Sequence, residues 1–141
     1  EPMAAEVVQQ AAWSALLRWL ASVASAAQGD QTWFTEAHQF RIDTTDGIGR
    51  PTPEGAHRDG VDFVAVFVIH RESIKGGETR VFDAHGPRGE RFTMKQAWSL
   101  LLLDDARVIH ESTPVQPLGG QGHRDTLVVT LRANHFQDPS A

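Results

Sequence analysis

The stretch Val61-Asp62-Phe63-Val64-Ala65-Val66-Phe67-Val68-Ile69 is a nearly continuous apolar run rich in β-branched residues. A short run of this kind, bounded by turn residues, predicts a buried strand. Directly before it stands His57-Arg58-Asp59-Gly60, and before that a long loop punctuated by Gly47, Gly49, Pro51, Pro53 and Gly55. The rest of the chain takes its place around this strand. Residues 39–45 alternate and are rich in Ile and Thr, which predicts a strand ahead of the loop. Downstream, Gly76-Gly77 reads as a turn, and strands are expected at 79–83 and 91–94. Segments 99–103 and 107–113 are expected to pair around Asp104-Asp105. After a loop over 114–122, residues 125–132 form the last strand, and the tail beyond Asn134 is expected to fray.

Upstream, residues 3–28 read as one amphipathic helix. Val7, Val8, Ala11, Leu16, Leu17, Leu20 and Val23 recur at spacings near three and four, and Gly29 can end it. Trp13, Trp19, Trp33 and Phe34 are expected to pack rather than bind a ligand, although the last two could also line a pocket. One helix followed by about eight short strands predicts a mainly β fold. The expected form is a double-stranded β-helix, or jelly roll, with the helix packed on its outside. The whole of 1–141 is expected to form a single domain, one common prior for this length.

Composition narrows the function. The chain has 141 residues, a net charge of −5, seven histidines and no cysteine. Without thiols there is no disulfide framework, no thiolate metal site and no cysteine nucleophile. An acidic chain without a basic run argues against nucleic acid as a partner. No apolar run approaches the roughly 18 residues of a membrane span. The absence of cysteine and of targeting signals is consistent with a reducing cytoplasm. Assembly into a homo-oligomer is left open.

Any metal must be held by His, Asp or Glu. A His-x-Asp pair on a jelly-roll strand end, with a distant third His, suggests the two-histidine, one-carboxylate triad of non-haem iron, because i and i+2 point the same way. Two such pairs occur, His57-Arg58-Asp59 and His123-Arg124-Asp125, together with His70-Arg71-Glu72. The pair at 123–125 has little chain after it to return a third ligand, and His135 falls in the expected tail. His57 and Asp59 have His110 far enough downstream, on a strand, to come back beside them. His70-x-Glu72, completed by His85 or His110, is the competitor. Arg124 opens the last strand, where a guanidinium can hold a carboxylate in a bidentate pair. Thr126, two residues on, could add a hydroxyl. Ser112 and Thr113 lie beside His110 in sequence and could reach the same ligand.

At this point a resemblance is specific. The stretch from Pro51 through Phe63 resembles the iron-binding segment of the bacterial 2-oxoglutarate/Fe(II) dioxygenase family that includes L-isoleucine 4-hydroxylase and related free L-amino acid hydroxylases. Gly76-Gly77-Glu78-Thr79, Leu102-Leu103-Asp104-Asp105-x-Arg107-Val108-x-His110, Thr113-Pro114-Val115 and Arg124-Asp125-x-Leu127-Val128-Val129-Thr130 resemble its later blocks in the same order. The likeness covers roughly residues 31–132. It implies Fe(II) on His57, Asp59 and His110, and 2-oxoglutarate as co-substrate with its far carboxylate on Arg124. It further implies O2 as the oxidant and succinate and CO2 as products. The substrate it implies is a free aliphatic L-amino acid such as Ile, Leu or Met. The presence of the carboxylate Asp59 favours hydroxylation, or sulfoxidation of a thioether, over halogenation. Members of the family run longer on the N-terminal side, so part of that region is expected to be lacking here.

An amino acid zwitterion needs a cation for its carboxylate and an acceptor for its ammonium. Gln39 and Arg41, expected on one strand face, and Glu54, just before His57, are candidates. A solvated strand arginine and an ordinary loop carboxylate are the bland alternatives. His38, His70 and His85 read as surface histidines. A competing function of a different class is a non-catalytic, cupin-like jelly roll that holds a metal as a sensor or binding module.

Overall fold

The computed structural model describes residues 1–136. Two helices come first, α1 (Ala5–Val8) and α2 (Ala11–Gln28). The strands follow: β1 (Phe34–Asp43), β2 (Phe63–Glu72), β3 (Ile74–Gly76), β4 (Thr79–Asp83), β5 (Gly89–Phe92), β6 (Ser99–Asp104), β7 (Val108–Ser112), β8 (Val115–Pro117) and β9 (His123–Arg132). They form a four-stranded sheet in the order β1-β9-β2-β6, a three-stranded sheet β5-β4-β7 and the pair β3-β8. All the pairings are antiparallel. This is the expected jelly roll with helix outside.

Strand alternation divides the four-stranded sheet into two faces. Phe63, Ala65 and Phe67 of β2 and Leu127, Val129 and Leu131 of β9 cluster with Leu20 and Ala24 of α2. That layer seats the helix. Val64 of β2 and Leu103 of β6 turn the other way and pack with Val81 of β4 and Val108 of β7, joining the two larger sheets. The two interleaved sets explain why 61–69 is apolar at nearly every position: each side of β2 meets its own core.

Four expectations need correction. The helix is two pieces, broken at Gln9-Gln10, where Gln10 takes an extended conformation. The β-branched pair Val7-Val8 has low helix propensity, and α1 buries no side chain that would hold it in line with α2. Trp13 packs on the core, but Trp19 is 49 % exposed. Segments 99–104 and 108–112 do not form a hairpin: β6 pairs with β2, and β7 pairs with β4. The Asp104-Asp105 turn therefore carries the chain from one sheet to the other. In the tail, Phe136 packs edge-on against Phe34 at 5.0 Å between ring centres. Residues 137–141 lie outside the described residues.

Candidate functional site

The crossover places His110 beside His57. The two residues form an isolated antiparallel bridge, His57 N–H to the His110 carbonyl at 2.9 Å and the reverse bond at 3.0 Å. Backbone pairing thus sets the two imidazoles side by side, with ring centres 4.6 Å apart. Asp59 completes the group: Oδ1 lies 3.7 Å from His57 Nε2, and Oδ2 lies 3.6 Å from His110 Nε2. A His–His–carboxylate group with its donor atoms this close can hold a divalent metal. Gly55 carbonyl lies 3.1 Å from His57 Nδ1. A proton on Nδ1, donated to that carbonyl, leaves the Nε2 lone pair facing Asp59. Burial, the largest influence on His110, lowers its pKa and favours the neutral imidazole that a metal requires.

Asp59 is held through its backbone N–H by Asp105, from the Asp104-Asp105 turn. Asp105 is fully buried. Its Oδ1 accepts from Asp59 N–H at 3.1 Å, and its Oδ2 accepts from Gly60 N–H at 2.8 Å and Val61 N–H at 3.1 Å. Its carbonyl accepts from Arg58 Nε at 2.6 Å. Gly60 has φ +76°, a conformation that only glycine adopts readily, and this lets three successive N–H groups converge on one carboxylate. An aspartate in a chain reversal normally faces water, so nothing local in the sequence distinguishes Asp105 from Asp104. Asp105→Asn is expected to weaken metal binding at the triad roughly 10–100-fold, the usual cost of losing an orienting partner. Isothermal titration of the folded variant with Fe(II) checks it.

The triad opens into a cavity of about 410 Å³ between the sheets, lined on the four-stranded side by Val64, Val66, Arg124, Thr126, Val128 and Thr130. Arg124 is 4 % exposed, yet its Nε has no hydrogen-bond partner among the described residues. Burial first, and neighbouring Arg71 second, push its pKa down to about 10. Arg71 donates from Nη2 to the Gly76 carbonyl at 2.9 Å and carries an unpartnered Nη1. Gly77, at φ +65°, leaves it room: a Cβ there would meet Arg71 Nη1 at 3.0 Å. A buried guanidinium with a second, partly exposed one beside it is suited to an anion.

Other sequence candidates fall as follows. Thr126 lines the cavity beside Arg124, and Ser112 lines it beside His110. Thr113 is occupied elsewhere, its hydroxyl accepting from Glu78 N–H at 2.8 Å. Glu54 reaches the cavity and lies 3.3 Å from His57 Nδ1. On β1 the residues facing the cavity are Glu36, His38, Phe40 and Ile42. Gln39 and Arg41 alternate to the opposite face, where Arg41 makes a bidentate pair with Asp125, both bonds 2.7 Å. His85 lines a separate groove with Asp83 and Glu90. Trp33 belongs to the core, donating from its indole to Ser25 at 2.9 Å and stacking edge-on Phe63. His70 meets neither Glu72, His85 nor His110 in a metal-holding group; it lies against His123.

Comparison with known proteins bears on the fold and the family. The chain resembles the crystal structure of a BsmA homologue from Methylobium petroleophilum PM1, with 57 % identity and a TM-score of 0.94. That match covers 99 % of this chain and 57 % of the other. IDO from Bacillus thuringiensis shares the fold at 16 % identity and a TM-score of 0.83, over 96 % of this chain and 63 % of its own. The Fe(II)/α-ketoglutarate-dependent dioxygenase TqaL does so at 22 % identity and 0.74, over 93 % and 56 %. The chain therefore spans a little over half the length of these structures. No curated protein sequence matches it. A family model described as 2OG-Fe dioxygenase matches residues 1–130, and the family implies Fe(II) and 2-oxoglutarate. By that match, with a His/Asp group and a buried guanidinium in one jelly-roll cavity, the chain belongs to the 2OG-Fe dioxygenase family.

Proposed function

We propose that this chain is the jelly-roll domain of an Fe(II)/2-oxoglutarate-dependent dioxygenase acting on a free aliphatic L-amino acid. His57, Asp59 and His110 hold the iron. Arg124, with Thr126 beside it, holds the far carboxylate of 2-oxoglutarate. The observation that carries the reading is the unpartnered, buried Arg124 guanidinium in the same cavity as the triad. A metal site that only senses or stores needs no such cation.

Bound iron supplies the redox chemistry that couples decarboxylation of 2-oxoglutarate to substrate oxidation. In balance, substrate, O2 and 2-oxoglutarate give hydroxylated substrate (or a sulfoxide from a thioether), succinate and CO2. The chain's own part is ligation, orientation and exclusion of water. Val64, Val66 and Val128 offer an aliphatic wall for an Ile, Leu or Met side chain. Glu54 and Glu36 are acceptors for its ammonium. His38, on the cavity face, replaces Arg41 as the donor for its carboxylate. Such a small-molecule enzyme is suited to the cytoplasm.

The test is anaerobic. Fe(II) is added to the metal-free protein, then 2-oxoglutarate, and the visible spectrum is recorded. A weak charge-transfer band that needs both additions is expected, and succinate formation in air should then rise with free Ile, Leu or Met. Iron binding without the band favours the metal-holding module. A band without stimulation by any free amino acid keeps the dioxygenase and rejects the substrate.

A further inference from the structure

A second group of metal-ligating atoms lies on the opposite face of the four-stranded sheet. His70 Nδ1 is 3.0 Å from His123 Nε2, and their rings are 5.0 Å apart. His123 Nε2 is 3.6 Å from Asp125 Oδ2. All three residues offer ligand atoms within 4.8 Å of one another. Two atoms each bonded at about 2.0–2.1 Å to a tetrahedral ion sit about 3.3 Å apart, and the two measured separations bracket that value.

The local fold shows how this arises. Along β2, Val64 and Val66 face the cavity, and strict alternation would send His70 there too. A register shift between Val68 and His70 prevents it. The bulge sets His70 opposite Asp125 and Arg71 opposite Arg124. One extra residue therefore puts an imidazole outside and a guanidinium inside. The third ligand comes from upstream of the His123-x-Asp125 pair, so the short chain after Asp125 is no obstacle.

Arg41 completes the arrangement. Its two 2.7 Å bonds hold the Asp125 carboxylate, whose oxygens retain further lone pairs. A hydrogen-bonded carboxylate is the usual outer partner arrangement of a metal ligand. We propose that His70, His123 and Asp125 form a second, solvent-exposed site for a borderline divalent ion, best suited to Zn2+. Such an ion would tie β2 to β9 directly behind Arg71 and Arg124. This proposal is independent of the dioxygenase reading, since none of its ligands faces the cavity.

The test counts metal on untagged, metal-free chain by equilibrium dialysis against Zn2+ and elemental mass spectrometry. Two ions per wild-type chain are expected. His70→Ala with His123→Ala should keep one, and Asp59→Ala with His110→Ala should keep the other. Arg41→Ala, which leaves every ligand in place, should weaken the outer ion roughly 10–100-fold and leave the triad ion unchanged. The Fe(II)/2-oxoglutarate band should persist in the His70/His123 variant. A single ion on the wild type that the His70/His123 variant retains, or two ions on that variant, overturns the proposal. Where the double variant fails to fold, Arg41→Ala decides: an outer ion held as tightly as in the wild type, or no ion that this substitution weakens, overturns it as well.

Discussion

Asp59→Ala is expected to lower iron-dependent 2-oxoglutarate turnover by about 10³-fold or more, a loss of about 4 kcal/mol in transition-state stabilisation. The carboxylate is the only anionic member of the triad, and each of its oxygens faces one of the two imidazole nitrogens. Alanine leaves two neutral donors for a divalent ion and removes the charge that offsets it. Folding should survive: the contacts that shape the loop are backbone bonds to Asp105, which the substitution keeps. Succinate release measured under saturating iron reports the effect, with circular dichroism as the control for fold. Turnover near that of the wild type would remove the His57/Asp59/His110 assignment. The outer group would be no ready substitute, because it lies across the sheet from Arg124.

The parts of this structure legible in the sequence are those whose signal is local. The two-sided apolar run of β2 and the strand at Thr79–Asp83 are of this kind. The joining of His57-x-Asp59 to His110 was also accessible from spacing, although the pair stands in the loop before β2, at an isolated bridge, and not on a strand end. The phase of β1 was not. Its sequence has polar residues on both faces, half of it is exposed, and it lies at the sheet edge. With no buried face to set the phase, pairing with β9 alone decides that Phe40 rather than Arg41 faces the cavity. The crossover after β6 was hidden for a related reason. Asp104-Asp105 is as good a hairpin turn as any, and the three backbone N–H groups that meet the Asp105 carboxylate come from residues 59–61, far off in sequence. The bulge near Ile69 carries no glycine or proline to mark it, yet it decides which side of the sheet His70 and Arg71 occupy.

Arg124→Ala is expected to raise the Kd of 2-oxoglutarate between tens- and thousands-fold, on the order of 2–5 kcal/mol, with iron affinity nearly unchanged. The argument begins with the unliganded protein. A buried guanidinium with an unpartnered Nε and a second guanidinium beside it is poorly stabilised. Its folded pKa, about 10, lies below its ordinary value, so the charged form is the disfavoured one in the fold. At neutral pH the group is charged both folded and unfolded. The penalty is therefore fully present there and fades only as pH rises through 10. A dicarboxylate removes it by pairing with the cation. Two results should then separate binding from folding. Thermal protection by 2-oxoglutarate, large in the wild type, should vanish in Arg124→Ala, whereas the unliganded variant should melt no lower than a packing loss explains. Arg124→Lys should recover little, since a single ammonium cannot form the bidentate pair. Calorimetric titration with 2-oxoglutarate in the presence of Mn2+ reads both substitutions without turnover. If Arg124→Ala binds as tightly as the wild type, the carboxylate belongs to Arg71, and Arg71→Ala must then show the loss.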